Sequence, residues 1–495
     1  MDAITRRTSL QWMASAAASG MAGAVWRPAT AADDDAAASK SLREEAANAL
    51  RRAVEFYHGQ ASSHGGYVYR YSADLTKREG EGKTDVDTVW VQPPGTPLVG
   101  EAYLAAYERT GEKYLLEAAR AAGECLRQGQ LASGGWTDRI EFSAQARRRF
   151  AYRVDPDRAK RAFNVSTFDD DKTQSAVRML VRLDRALEFR DAAIHESVAA
   201  ALDAILKAQF PNGAWAQGFE TFPEPDKHPV KAAAFPEDWP REYPGGPYWW
   251  HYTFNDNAIA DTIETLLYAA RVYSEPRYRA AALKAGDFIL LAQLPDPQPA
   301  WAQQYNFEMQ PAWARKFEPP AVSGSESQGL LRVLLRLYLE SGDSKYLTPI
   351  PKALEYLKKS QIAPGQLARF YELRTNRPLY FTRDYQLTYD DGDLPTHYSF
   401  KVSSKLESIE RQYRDLLKLT PEKLASRRQK LGEEKSTARP DDASVRAVLG
   451  SLDSRGAWVV DGKLKYHGKA DDTRRIIDSE TFSQNLDILS RYLAP

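Results

Sequence analysis

Apolar residues return every three to four positions in four long stretches of this chain, and each stretch is cut once by a short polar break. The stretches are "PLVGEAYLAAYERTGEKYLLEAARAAGECLRQGQLASGGW", "DDDKTQSAVRMLVRLDRALEFRDAAIHESVAAALDAILKAQFPNGAW", "NDNAIADTIETLLYAARVYSEPRYRAAALKAGDFILLAQLPDPQPAWAQQ" and "SESQGLLRVLLRLYLESGDSKYLTPIPKALEYLKKSQIAPGQLARF". In the last of them Leu330, Leu331, Val333, Leu334, Leu335, Leu337 and Leu339 leave little polar surface, which predicts a largely buried helix. The breaks "RTGEKY", "YSEPRY" and "ESGDSKY" pair a Gly or Pro with a Tyr that opens the next helix. Each stretch therefore predicts a helical hairpin.

The hairpin ends repeat as well. Gln130, Gly134 and Trp136 in "QLASGGW" match Gln209, Gly213 and Trp215 in "QFPNGAW", and Trp301 closes the third stretch. The spacing of these tryptophans, roughly eighty residues, suits stacked units that hide their apolar faces against one another. The pattern predicts an all-α fold, an α/α toroid built as an incomplete barrel of helical hairpins, with short β-hairpins in the loops of one rim. In the repeated motif Gln satisfies orphan backbone groups, Gly permits the left-handed turn that ends a helix, and Trp packs over the junction. Trp215 and the polar residues that follow such turns, Gln217, Gln303 and Gln304, face the rim and are candidates for substrate contact.

Residues 42–400 read as one toroid domain. Residues 401–495 change character: a charged helical run, a solvated linker, a short hairpin in "GAWVVDGKLKYHG" and a last amphipathic helix, "SETFSQNLDILSRYL". They read as a charged C-terminal helical extension. At the other end, Arg6-Arg7 precedes an Ala/Gly-rich run and Ala29-Thr30-Ala31, the order of a twin-arginine export signal over residues 1–31, followed by a flexible leader over 32–41. The expected location is periplasmic or secreted.

Composition narrows the function. Sixty-seven basic side chains balance 67 acidic ones, so no basic surplus predicts a nucleic-acid partner. No later stretch is long and apolar enough to span a bilayer, and a monomer is expected. Cys125 is the only cysteine, which excludes an intrachain disulfide and a cysteine-based metal site.

Chemistry gathers at the predicted helix starts. "TFDDDKT" places Asp169, Asp170 and Asp171 together, "TFNDN" places Asp256 between two asparagines one repeat later, and "SGSES" places Glu326 there in the next. A single such acid caps a helix; adjacent carboxylates repel unless a cation relieves them. Many irregular oxygen ligands favour calcium over magnesium. The same loops hold Tyr248, Trp249, Trp250 and Tyr252, whose flat faces suit sugar rings, and Arg315, Lys316, Arg377 and Arg383, suited to carboxylates. Acids for a cation, aromatics for sugars and arginines for carboxylates together predict an acidic polysaccharide as partner. His251 is the histidine nearest this group.

Six motifs in order, "TFDDDKTQSAVRML", "AQFPNGAWAQ", "YTFNDNAIADTI", "PAWAQQYNF", "PAWARKFEPPAVSGSESQGLL" and "RPLYFTRD", resemble the pectate lyases of family ten over roughly residues 45 to 400. The resemblance implies calcium-dependent β-elimination in polygalacturonate, with an aspartate on the calcium and an arginine as base. Carried over by motif, the aspartate is Asp169 or Asp171, with Asp256 from the second cluster; Arg315 matches the base and Arg383 a substrate-binding arginine. Lys316 is the alternative base. The chain departs from the family at Ala214 and Ala216 around Trp215, at Tyr305 after Gln303-Gln304, and in an insertion from Gly218 to Pro247 on the rim. The competing expectations are an α/α-toroid glycoside hydrolase using Asp169 and Asp256, and a non-catalytic polysaccharide-binding protein.

Overall fold

The computed structural model describes residues 29–155, 161–431 and 438–495. Residues 1–28, which hold the twin-arginine motif, lie outside them. Fourteen α-helices are seen among the described residues: α1 (Ala29–Phe56), α2 (Thr96–Thr110), α3 (Lys113–Gln128), α4 (Ala144–Arg147), α5 (Lys172–Ala186), α6 (Ala192–Lys207), α7 (Ala258–Tyr273), α8 (Pro276–Leu291), α9 (Glu326–Ser341), α10 (Ile350–Lys359), α11 (Leu406–Leu417), α12 (Pro421–Gln429), α13 (Asp442–Gly450) and α14 (Ser479–Leu493). Helix α1 includes residues 32–41, read from the sequence as a flexible leader.

The four predicted hairpins are α2–α3, α5–α6, α7–α8 and α9–α10. Their turns follow the local chemistry: Gly111 (φ 73°) and Gly342 (φ 76°) end α2 and α9 in the left-handed conformation, and Pro276 opens α8. The first helices of successive hairpins touch in series, α2 on α5, α5 on α7 and α7 on α9. Helix α11 continues the series beyond α9, and α14 precedes it by packing on α2 and α1. The buried Phe482, Leu486, Leu489 and Tyr492 fasten α14 there. The C-terminal region is thus part of the helical array, built against the N-terminal helices.

In each repeat the strand entering the hairpin pairs with the strand leaving it. Thr88–Trp90 pairs with Arg139–Glu141, Ser166–Thr167 with Gly218–Phe219, Tyr252–Thr253 with Gln304–Tyr305, and Ala321–Ser323 with Phe370–Glu372. This gathers the starts of α2, α5, α7 and α9 with the return loops. The sheets are larger than the short hairpins expected: Phe370–Glu372 continues through Pro378–Phe381 to Leu387–Thr388, and a five-stranded sheet joins Val460–Asp461 and Arg475–Asp478 to Arg70–Ser72, Arg78–Glu79 and Lys83–Thr84.

The repeated Gln-x-x-x-Gly-x-Trp motif is a staple between hairpins. Gln130 Nε2 donates to the Gly134 carbonyl of its own turn (2.8 Å) and to Ser197 on α6 (2.9 Å); Gln209 does the same with Gly213 (3.0 Å) and Ala281 on α8 (2.9 Å). Gln293 repeats it with Pro299 and Pro349. The indoles of Trp136, Trp215 and Trp301 donate to Leu126, Ile205 and Ile289 one helical end away. All three rings are buried.

Candidate functional site

The entering strands set up the helix starts. Thr167 Oγ1 accepts from the Asp169 amide (3.1 Å), Thr253 Oγ1 from Asn255 (3.3 Å) and Ser323 Oγ from Ser325 (3.2 Å). In the first two repeats the chain then takes two consecutive left-handed residues, Asp170 (φ 48°) and Asp171 (φ 62°), and Asp256 (φ 48°) and Asn257 (φ 57°). Each such residue costs about 1–2 kcal/mol, least for Asp and Asn. The same strain in neighbouring repeats turns Asp170 and Asp256 inward, and oxygens of Asp169, Asp170 and Asp256 lie within 4.8 Å of one another.

Asp171, expected among the metal ligands, is not in this cluster. The second left-handed residue turns its carboxylate to Arg178 on α5, 2.6 Å away. Asp170 stands in its place. Aligning "TFDDD" on "TFNDN" would have shown this, because Asp170, not Asp171, falls opposite Asp256.

The cluster is held from outside by amides and one ammonium. Gln217 Nε2 donates to Asp169 Oδ1 (2.6 Å) and Gln92 Nε2 to Asp170 Oδ2 (3.2 Å). Lys172 Nζ, almost buried, donates to Asp169 Oδ2 at 3.0 Å. Burial disfavours every charge here. For Asp169 it is outweighed by Lys172, so the carboxyl is held below its usual range; burial likewise opposes the Lys172 ammonium, but Asp169, Asp170 and Asp138 keep it charged. Asp256 has no such partner: burial, then Asp170 and Asp169, push its carboxyl well above the usual range despite Arg315.

Arg315 faces the cluster from the turn that precedes α9. Its Nη2 is 3.6 Å from Asp256 Oδ2. Glu318 fixes it by a two-point pair, Nε to Oε2 at 2.8 Å and Nη2 to Oε1 at 2.6 Å, and also accepts from the Arg315 amide and the Tyr398 hydroxyl. Burial works against the Arg315 charge, but Glu318 and Asp256 raise its pKa further. Burial would also protonate Glu318, and Arg315 outweighs it. Arg369, nearly buried, pairs with Glu326 at 3.5 Å and stacks on Tyr398, with Asp256 and Glu318 both favouring its charge.

Other predicted residues are placed as follows. Gln217 touches Asp169, and Gln303 lies beside Glu318. Trp215 is covered by the junction it closes and offers no face to a sugar. Trp250 is half-buried against Trp249. Lys316 is exposed and its ammonium sits over the Tyr385 ring (3.5 Å). Arg383 is exposed and pairs with Asp393 at 3.2 Å; Arg377, also exposed, lies over Tyr389. The sequence reading passed over Lys172, Glu318 and Arg369. Lys172 and Glu318 could have been found as charges three residues from Asp169 and Arg315, whereas nothing local marks Arg369.

Residues 130–363, which run from the first Gln staple to just past α10, match the family model described as pectic acid lyase. The chain resembles the family-ten pectate lyases. A mutant of the family 10 polysaccharide lyase from Cellvibrio cellulosa, in complex with trigalaturonic acid, is 21% identical over 64% of this chain and 98% of that one, with a TM-score of 0.45. A D-mannose isomerase (14% identity, 90% and 96% covered, TM-score 0.42) and the cellobiose 2-epimerase of Bacillus thermoamylovorans (13%, 91% and 100%, 0.43) are also similar in structure. No curated protein sequence matches the chain.

Proposed function

We propose that this protein is a polysaccharide lyase that cleaves polygalacturonate, or a related uronan, by cation-assisted β-elimination at the rim of an α/α toroid. The observation that carries the reading is the meeting of Asp169, Asp170 and Asp256 within 4.8 Å, with Arg315 3.6 Å from Asp256. The similar lyase carrying trigalaturonic acid supports a uronate chain as partner. The Arg6-Arg7 leader supports export from the cytoplasm.

The cluster fits a hard divalent cation, calcium by its irregular oxygen donors: one buried and two half-buried carboxylates meet beside the Lys172 ammonium and the Arg315 guanidinium, and burial, then Asp170 and Asp169, push the Asp256 carboxyl above its usual range. Asp169, Asp170 and Asp256 would hold the ion, which would supply a Lewis acid that neutralises the substrate carboxylate and makes the neighbouring C5 proton acidic.

The chain's own residues do the rest. Arg315 is positioned by Glu318 to take the C5 proton; the C–H electron pair forms the C4–C5 double bond, the C4–O bond breaks with its pair on oxygen, and the leaving oxygen takes a proton from water. Against burial, Glu318 and Asp256 hold Arg315 protonated, so it takes the C5 proton only after giving its own proton to solvent. Arg369 and Gln217 are placed to orient the chain.

Incubation with polygalacturonate, with calcium and then with excess chelator, tests this reading: calcium-dependent appearance of an ultraviolet-absorbing unsaturated end is expected, and equal rates in both would remove the metal. A second reading has one observation in its favour, the opposite pKa shifts of Asp169 and Asp256, which suit the base and the acid of a glycoside hydrolase. Products without an unsaturated end would decide for it.

A further inference from the structure

The insertion from Gly218 to Pro247 does more than lengthen a loop. Its last part folds over Trp313 and borders an open cavity of about 350 Å³. Trp239, Trp313, Tyr248 and His251 form walls of it, and Pro244 to Pro247 pass along it through two left-handed glycines, Gly245 (φ 70°) and Gly246 (φ 100°). Trp313 is tied to the insertion by its indole, which donates to the Pro240 carbonyl (2.8 Å).

The cavity adjoins the reacting centre. Ala314, next to Arg315, lines it, and so does Tyr248, whose hydroxyl lies in the field of Arg315, Glu318, Asp169 and Asp256. Yet its charge is opposite to what a uronate needs. Among the described residues no lysine or arginine lines it, and its one acidic wall residue is the exposed Asp238. The nearby guanidinium of Arg241 lies over the Trp239 ring (4.1 Å) and is paired with the buried Glu372; that of Arg374 is bonded to the Glu237 carbonyl. A carboxylate placed here would meet Asp238 with no counter-charge, an arrangement that rejects an acidic unit.

What the cavity offers suits a neutral ring. Its walls mix prolines and aromatic edges with the uncharged polar side chains of Asn306 and Gln310, a lining that suits a ring bearing hydroxyls and no charge. His251 is kept neutral by burial, its ring lies against the Trp313 carbonyl, and its buried Nδ1 has no partner among the described residues. With the other nitrogen donating to that carbonyl, Nδ1 would be a hydrogen-bond acceptor, closed off in this arrangement and met by a hydroxyl once the ring turns toward the cleft.

We propose that the insertion builds a subsite for an uncharged pyranose unit beside the reacting uronate, so that the preferred substrate is a mixed chain, acidic at the bond that breaks and neutral next to it. The inference rests on the lyase reading above. Two sources share this chemistry: a methyl-esterified galacturonate, and a neutral sugar alternating with uronates.

The test measures kcat/KM, by formation of unsaturated ends, on polygalacturonate, on partly methyl-esterified pectin and on rhamnogalacturonan. One of the two mixed chains should be preferred over polygalacturonate by at least about tenfold, the scale of one well-placed polar contact; which one identifies the source. His251→Phe keeps the volume and removes the acceptor, and should lower that preference at least about tenfold. Asp238→Lys, at an exposed position that folding tolerates, should lower it at least about threefold by admitting a carboxylate. Preference for polygalacturonate in the unmodified protein, or a ratio that neither variant moves, overturns the subsite. If no polymer yields unsaturated ends, the lyase reading fails, and calorimetry with neutral oligosaccharides tests the cavity by itself: binding that His251→Phe abolishes supports it, and no binding overturns it.

Discussion

Lys172 sets its ammonium 3.0 Å from Asp169 Oδ2, on the outer side of the carboxylates that would hold a cation. The helix that begins at Lys172 thereby brings its own counter-charge to the site. Asp169 is stabilised as a carboxylate by this ammonium, and Asp256, on the far side, is not.

Lys172→Met removes that charge and keeps most of the volume. Leaving a buried carboxylate unpaired costs about 3–5 kcal/mol, so the variant should melt well below the unmodified protein in chelator. Calcium should restore most of the loss, because the ion then meets carboxylates that no longer share the Lys172 ammonium, and calorimetry should show tighter calcium binding than in the unmodified protein. Melting curves that calcium leaves unmoved would mean that the cluster does not take the ion.

Recognition of the substrate should depend on Arg369 more than on Arg383. Arg369 is nearly buried, with its field on Asp256 and Glu318, whereas the Arg383 side chain is 68% exposed and bound to an equally open Asp393. Exposed pairs of that kind contribute about 0–1 kcal/mol. Arg369→Lys loses the planar contact with Tyr398 and should raise KM about tenfold or more, against about twofold or less for Arg383→Ala. Steady-state kinetics giving the reverse order would return carboxylate binding to the Arg383 loop.

The helical hairpins, their turns and the tryptophan junctions could all be read along the chain, because each is made by residues within one repeat. Gln209 bonds to Gly213 and Trp215 to Ile205, four and ten residues away, and only the second bond of Gln209, to Ala281, leaves the repeat. The site was legible only in part. "DDD" announced a cluster, but which carboxylates turn inward is decided by two left-handed residues, which side-chain type alone does not specify. Arg369 comes into the field of Asp256 across more than a hundred residues of chain, through strand pairing that no local pattern reports. Trp215 was read both as packing and as a sugar platform, and its burial leaves only the first.

Gly213 should tolerate no side chain. Its φ is 95°, and a Cβ there would lie 2.1 Å from the Lys284 carbonyl oxygen on the adjoining α8. Gly213→Ala therefore combines backbone strain with a clash against another backbone, and should cost more than about 1 kcal/mol, read as a lower denaturation midpoint at unchanged slope. Gly111→Ala, where a Cβ would meet nothing within 4 Å, should cost only the strain of its φ of 73°. Equal losses in the two variants would show that the approach of α8 does not matter.

Arg315 and Glu318 give the test of the chemical step. Arg315→Lys keeps a charge but cannot make the two-point pair with Glu318, and a fall in kcat of at least about a hundredfold is expected for a misplaced base, with a smaller change in KM. That result alone does not separate a proton acceptor from a fixed cation. Glu318→Gln does. The carboxylate at 2.6–2.8 Å favours protonated Arg315, and the amide that replaces it is isosteric and neutral, so the Arg315 pKa falls. If the neutral guanidine takes the C5 proton, its fraction at any pH below that pKa rises, and the acid limb of the kcat profile moves to lower pH. If Arg315 serves as a permanent cation, the limb stays where it was while KM changes. A pH–rate profile of Glu318→Gln with an unmoved acid limb would therefore exclude Arg315 as the base.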